Sequence, residues 1–148
     1  MIVSYLAMMA FLIHSARHAT QTIAVASEFS PAMIALAELT EPGPFRQRTI
    51  ELGAFFGIFE SGRLLAMAGQ RLHLPDFVEV SAVCTHPDVR GRGYARMLIA
   101  TVVDEIRERG KTAFLHSFSD NHSAIRVYES LGFTLRRSLH LAVLKNDL

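Results

Sequence analysis

Arginine and glycine alternate in one short stretch of the chain, Arg90-Gly91-Arg92-Gly93-Tyr94-Ala95-Arg96, a composition suited to holding an anion. Arginine brings a fixed charge and forked donors. Glycine lets a backbone approach its ligand because no Cβ intervenes. The stretch follows the strand-like run Val83-Cys84-Thr85 and His86-Pro87-Asp88, and it opens a segment with helical spacing. A turn placed there leaves backbone N–H groups unpaired at the positive end of a helix dipole. Phosphate binds well at such a place. Many side chains elsewhere could move protons, among them those of Tyr128, His116 and Glu79. Tyr128 carries a phenol that stays protonated at neutral pH. His116 titrates near neutrality, and Glu79 offers a carboxylate on a Val-rich strand.

The kind of phosphate is narrowed by what is missing. A P-loop needs Gly, four residues, then Gly-Lys-Ser/Thr, and no such Lys and hydroxyl follow here. A dinucleotide fingerprint begins with Gly91-Arg92-Gly93, but Arg96 occupies its third glycine position. The bland alternative is a helix start that is merely rich in Gly and Arg.

These residues need elements to position them. Thr22 to Ser27 reads as a strand, and Ser30-Pro31 as the start of a helix with Ser at the cap. Glu41-Pro42-Gly43-Pro44 stops that helix, and a short helix is expected around Arg46 to Leu52. Ala54 to Phe59 and Leu64 to Leu72 read as a hairpin around Glu60-Ser61-Gly62-Arg63. Phe77 to Thr85 is a third strand, with Glu79 sharing a face with Ser81 and Val83 by simple alternation. Gly93 to Arg109 is a helix by the spacing of Ala95, Leu98, Ile99, Val102 and Ile106, with Gly110 as its stop. Thr112 to Phe118 is a strand. A helix capped by Ser119 or Asp120 then runs to Gly132, followed by strands over Phe133 to Arg136 and Leu139 to Lys145. Hairpins alternating with strand–helix–strand units predict an α/β (α+β) fold, with helices on both faces of a mixed sheet.

The segment from Arg90 to Ala95 resembles motif A of the GNAT superfamily of N-acetyltransferases: Arg, two residues, Gly, one residue, Gly or Ala. The second half is similar to the family's other signature. Asn121 opens a helix that carries Tyr128, and Leu131-Gly132-Phe133 closes it. The resemblance spans about residues 22 to 145, is weak before residue 54 and does not extend to the first twenty residues.

That resemblance implies a mixed, mostly antiparallel sheet whose two central strands splay around acetyl-CoA. Val83, Cys84 and Thr85 would line the pantetheine arm. Arg90, Gly91, Arg92, Gly93, Tyr94, Ala95 and Arg96 would hold the pyrophosphate, and Asn121 would touch the arm. The implied reaction is direct attack of a primary amine, on a small molecule or a peptide, upon the thioester. Tyr128 would act as general acid. His116, Glu79 or an ordered water would take the ammonium proton. An acyl-CoA-binding sensor without turnover is the alternative on the same fold. Cys84 has no obvious activating His at fixed spacing, and a packing role is expected for it.

Composition sets outer bounds. The chain has 148 residues, half of them hydrophobic, which is enough for one domain with a real core. The division expected is an apolar segment over residues 1–21 and a single domain over 22–148. A net charge of +1 argues against a nucleic-acid partner. One cysteine excludes an intrachain disulfide and thiolate-rich zinc sites, and a reducing cytoplasm is the default setting. The seven histidines are scattered and no metal is expected; His14 and His18 are the one pair at helical i, i+4 spacing. Met1 to Ile13 is apolar but shorter than the roughly 18 residues of a membrane span. No membrane partner is expected, and packing on the domain or in a homodimer is the reading for that segment.

Overall fold

The computed structural model describes residues 21–142. The expectations for the segment over residues 1–20, including the His14/His18 pair, lie outside the described residues, as do residues 143–148. Five strands form one sheet in chain order: β1 (Gln21–Ala24), β2 (Phe55–Glu60), β3 (Arg63–His73), β4 (Phe77–Thr85) and β5 (Thr112–Phe114). All neighbours are antiparallel except β4 and β5. The sheet is therefore mixed and mostly antiparallel, as expected.

Three α-helices accompany it: α1 (Ser30–Thr40), α2 (Tyr94–Glu108) and α3 (His122–Ser130). Helix α1 seals one face, where Met33, Leu36 and Ala37 pack with Phe55, Leu64, Met67 and Cys84. Helix α2 seals the other, where Leu98, Ile99, Val102 and Ile106 pack with Ile58, Leu65, Val78 and Val80. Those four α2 side chains are fully buried. At about 1.5–3 kcal/mol for each large aliphatic side chain, this stripe is what fixes α2 to the sheet. Val127, Tyr128, Leu131 and Phe133 bring α3 to the same side.

Local chemistry explains the turns. Ser61 and Gly62 both have positive φ, which matches the right-handed twist of the β2–β3 hairpin. Helix α1 ends at Glu41 in the left-handed region, with its N–H on the Ala37 carbonyl at 2.8 Å, and Pro42 prevents another turn. Ser30 is the first helical residue rather than the cap, and its Oγ donates to the Gln47 carbonyl at 3.4 Å. The short helix expected from Arg46 is a 3-10 turn over Thr49–Leu52.

Two other expectations are corrected. The strand predicted over Thr112 to Phe118 stops at Phe114, because its pairing with β4 ends at the register Glu79↔Phe114. The strand expected over Phe133 to Arg136 is not formed, nor is any strand in the described part of Leu139 to Lys145. No ladder reaches this segment, and Leu135, Leu139 and Leu141 stand exposed.

Candidate active site

Strand β4 carries one residue too many for its partner. Its register against β3 runs Ala66↔Thr85 and Met67↔Cys84, then jumps to Gly69↔Ser81. The extra residue forms a β-bulge at Ala82, whose φ is +52°. A left-handed alanine costs about 1–2 kcal/mol, so the surrounding ladder must impose it. The bulge reverses the alternation of the strand. Val78 and Val80 face the α2 side, whereas Ala82 and Cys84 face the α1 side. Val83 packs toward α2. Simple alternation is therefore wrong here: Glu79 and Val83 lie on opposite faces.

The same region is where the sheet opens. Hydrogen bonding between β4 and β5 covers only Phe77–Glu79 against Thr112–Phe114. From Val80 onward, β4 is paired on its β3 side alone. The gap in the ladder leaves the β5-side edge of β4 at Val83, Cys84 and Thr85 without a strand partner among the described residues. The Thr85 Oγ1 is buried without a hydrogen-bond partner among the described residues.

Beyond Thr85 the chain makes a 3-10 turn over Pro87–Val89, anchored by buried Val89, and then the Arg–Gly loop. Gly91 has φ +77° and Gly93 +80°, both in the left-handed region. A Cβ on either would meet no atom within 4 Å, so the glycines border open space. Gly93 is the N-cap of α2, and no side chain caps that helix start. Tyr94 turns its ring into the core, at 8% exposure, and so pins the first turn. Ala95 is half-buried, while Arg90 and Arg92 are exposed beside the loop. Arg96 is directed elsewhere: its guanidinium hydrogen-bonds the Ser130 carbonyl at 3.3 Å and also the Ser130 hydroxyl. It ties α2 to the C-terminal end of α3, where a cation suits the helix dipole.

Three side chains meet on the α1 side of the gap. Glu79 is buried, with its side chain 2% exposed. Arg71 holds it in a fork, Nε to Oε2 at 2.8 Å and Nη2 to Oε1 at 2.6 Å. The His116 Nδ1 lies 2.8 Å from the same Oε1. Burial pushes the Glu79 pKa up, but the hydrogen bonds and charges of Arg71 and His116 outweigh it and hold the carboxyl below its usual range. An ionised carboxylate only accepts, so His116 donates from Nδ1 and its neutral form keeps a lone pair on Nε2. The His116 side chain is half exposed. His116 and Glu79 were rival candidates in the sequence; the structure makes them one hydrogen-bonded pair. Arg71 was missed. The signal was available, since folding the β3–β4 hairpin sets Gln70 against Val80 and so Arg71 against Glu79.

Helix α3 supplies the remaining groups. Its cap is Asn121, not Ser119 or Asp120: the Asn121 Oδ1 accepts the Ala124 N–H at 3.2 Å, which leaves the amide NH2 free to donate elsewhere. Tyr128 is half-buried with its ring edge-on to Phe133, centroids 6.3 Å apart. Burial, and then the charge of nearby Cys84, push the Tyr128 pKa up. Burial likewise raises the Cys84 thiol to about 11, against a smaller opposing hydrogen bond with Thr40. Among the described residues no group of three His, Cys, Asp or Glu could hold a metal, and no helix is long and apolar enough to cross a membrane. A small pocket opens next to this site, lined by Pro44, Phe45, Phe55, Arg71, Ser81 and Ala82.

A five-stranded sheet that parts beside a left-handed Gly–Arg loop defines the class of protein at hand. Residues 55–141 match the family model for FR47-like proteins, and the chain belongs to that family, within the GNAT acetyltransferases. Over 89 residues it is 33% identical to the [ribosomal protein bS18]-alanine N-acetyltransferase of Escherichia coli, covering 57% of this chain and 60% of that protein. Over 74 residues it is 36% identical to mycothiol acetyltransferase of Thermomonospora curvata, covering 49% of this chain and 25% of that protein. A crystal structure from Novosphingobium aromaticivorans, assigned to the GNAT family, superimposes with a TM-score of 0.76 at 49% identity. That match covers 78% of this chain and 52% of the other. The chain thus spans between a quarter and about three fifths of these three proteins.

Proposed function

We propose that this chain is an acetyl-CoA-dependent N-acetyltransferase that acylates a primary amine by direct attack within a ternary complex. The observation that carries the reading is the parting of β4 from β5 at Glu79/Phe114, immediately beside the Gly91–Gly93 loop at the start of α2. The fit of the cofactor rests on two features of this chain. The glycines leave open space where any other residue would place a Cβ, and Thr85 turns a buried, unpartnered hydroxyl oxygen at the mouth of the gap. Gly91, Arg92, Gly93, Tyr94 and Ala95 would hold the pyrophosphate through backbone N–H groups, with Arg90 and Arg92 adding charge. Val83, Cys84 and Thr85 would line the pantetheine arm, and the free amide of Asn121 would donate to it. Arg96, occupied with Ser130, would act by fixing α2 against α3.

The thioester supplies the activated acetyl group. Three tasks remain for the protein. His116, with Nδ1 engaged by Glu79, takes the ammonium proton at Nε2, directly or through a water. Glu79 is poorly suited to take it, since its two partners, Arg71 and His116, hold its proton affinity below that of an ordinary carboxylate. The backbone N–H of Val83, beside the bulge, would serve the oxygen that gains charge during attack. Tyr128, kept protonated by burial, would give its proton to the departing thiolate. The acceptor, a small molecule or a peptide amine, would enter from the pocket walled by Phe45, Phe55 and Arg71.

Calorimetry with acetyl-CoA, paired with a thiol-release screen over amino acids, peptides, amino sugars and polyamines, tests the reading. Saturable binding and thiol release with at least one amine are expected. Binding without release by any amine would favour the acyl-CoA sensor, and no binding at high micromolar cofactor would sink both.

A further inference from the structure

We propose that Arg71 is a positioning residue that sets how strongly the Glu79–His116 pair holds its proton. It rests on the reading of His116 as proton acceptor for its catalytic meaning, but the charge relation can be measured without any substrate. The geometry is a chain of three groups, two on neighbouring strands and one on the segment that follows β5. Arg71 on β3 forks onto both oxygens of Glu79 on β4, and Glu79 Oε1 also receives His116 Nδ1 from the segment after β5. Among the described residues, the charged groups found against His116 are Glu79 directly and Arg71 through it. Two residues before it in the chain, the neighbour is the uncharged Phe114 ring, 5.7 Å away.

The signs follow from electrostatics. A carboxylate alone beside His116 would favour imidazolium and make a poor acceptor, because the ring would already carry its proton at neutral pH. Arg71 shares that carboxylate. It leaves Glu79 able to orient the ring while weakening its pull on the Nε2 proton. The pair then binds its proton as a unit, and Arg71 tunes the unit toward neutrality. Because Arg71 also lines the pocket beside Phe45 and Ser81, it stands between the acceptor's entry and the base.

The test is a proton NMR titration of the His116 ring in the full chain, with its signal identified by its loss in His116→Gln. Arg71→Gln removes a positive charge, and the His116 pKa is expected to rise by about one unit. Glu79→Gln removes a negative charge, and the pKa is expected to fall by a similar amount. Arg71→Lys keeps the charge without the fork and should stay close to the parent. Thermal melting confirms that each variant is folded. If Arg71→Gln does not fold, Arg71→Lys measured at low and high salt replaces it, with a rise in the His116 pKa expected as salt screens the exposed lysine. Movement of the pKa in the same direction in both Gln variants, or no movement in Arg71→Gln (or, in its place, no response of Arg71→Lys to salt), overturns the proposal. In turnover, the acidic limb of the pH profile should move with the NMR value. A profile that stays put while the NMR shifts would leave the charge relation standing and remove His116 as the acceptor.

Discussion

Tyr128 and Cys84 show how one environment gives two side chains opposite uses. Both are kept protonated by burial, and Tyr128 also feels Cys84. For a phenol poised to donate a proton, that is an asset. For a thiol it means inertness, since the thiolate is the nucleophile. With the thiol at about 11, roughly one molecule in a thousand carries thiolate at pH 8. Iodoacetamide should therefore leave native Cys84 unmodified for far longer than the urea-unfolded chain, as counted by intact mass. Comparable rates would contradict both the burial and an inert thiol. For Tyr128→Phe we expect turnover to fall by about a hundredfold, in line with the usual worth of general acid catalysis. Coenzyme A affinity, read by calorimetry, should change by less than about threefold. Equal losses in both would place Tyr128 in binding rather than proton transfer.

At the scale of elements, the loop and the bulge are two answers to one demand, a backbone that must turn where a side chain would obstruct. Gly91→Val and Gly93→Val each force a β-branched residue into the left-handed region, at a cost of about 1–2 kcal/mol or more. Each also fills the open space that the glycines border. Urea melts should register the first effect and acetyl-CoA calorimetry the second, with binding lost beyond what stability explains. The glycines were legible in the sequence because their type announces their conformation. So was Phe77–Thr85, whose Val-rich run matches the observed β4 to the residue. Ala82 was not legible. Alanine carries no mark of positive φ, and the bulge is set by the ladder against β3 rather than by local preference. The last strands failed for a related reason. Alternating Leu135, Leu139 and Leu141 describe a face, but a strand also needs a partner edge, and β5 is three residues long. Glu79 and His116 were each visible as chemistry. Their union with Arg71 was not, because it depends on the register of β3 against β4 and on where the chain runs after β5.

For the whole molecule, the buried ion pair links folding to pH. Glu79 has its folded pKa lowered, so it contributes stability above the unfolded value near 4.3 and loses it as pH falls through the folded value. Urea midpoints should therefore drop between about pH 5 and pH 3. In Glu79→Gln that slope should be shallower, while stability at pH 7 falls by about 3 kcal/mol because Arg71 loses its buried partner. An unchanged slope would show that other carboxylates carry the acid transition.

The extra residue at Ala82 also settles a matter of parity. Ahead of it, odd-numbered positions of β4 look toward α1; after it, even-numbered ones do. Glu79 and Cys84 thus share one side despite an odd separation, so the partner of His116 and the neighbour of Tyr128 face the same way. Removing a single residue between Ser81 and Val83 would leave every β4 side chain in place by type and put half of them in the wrong room.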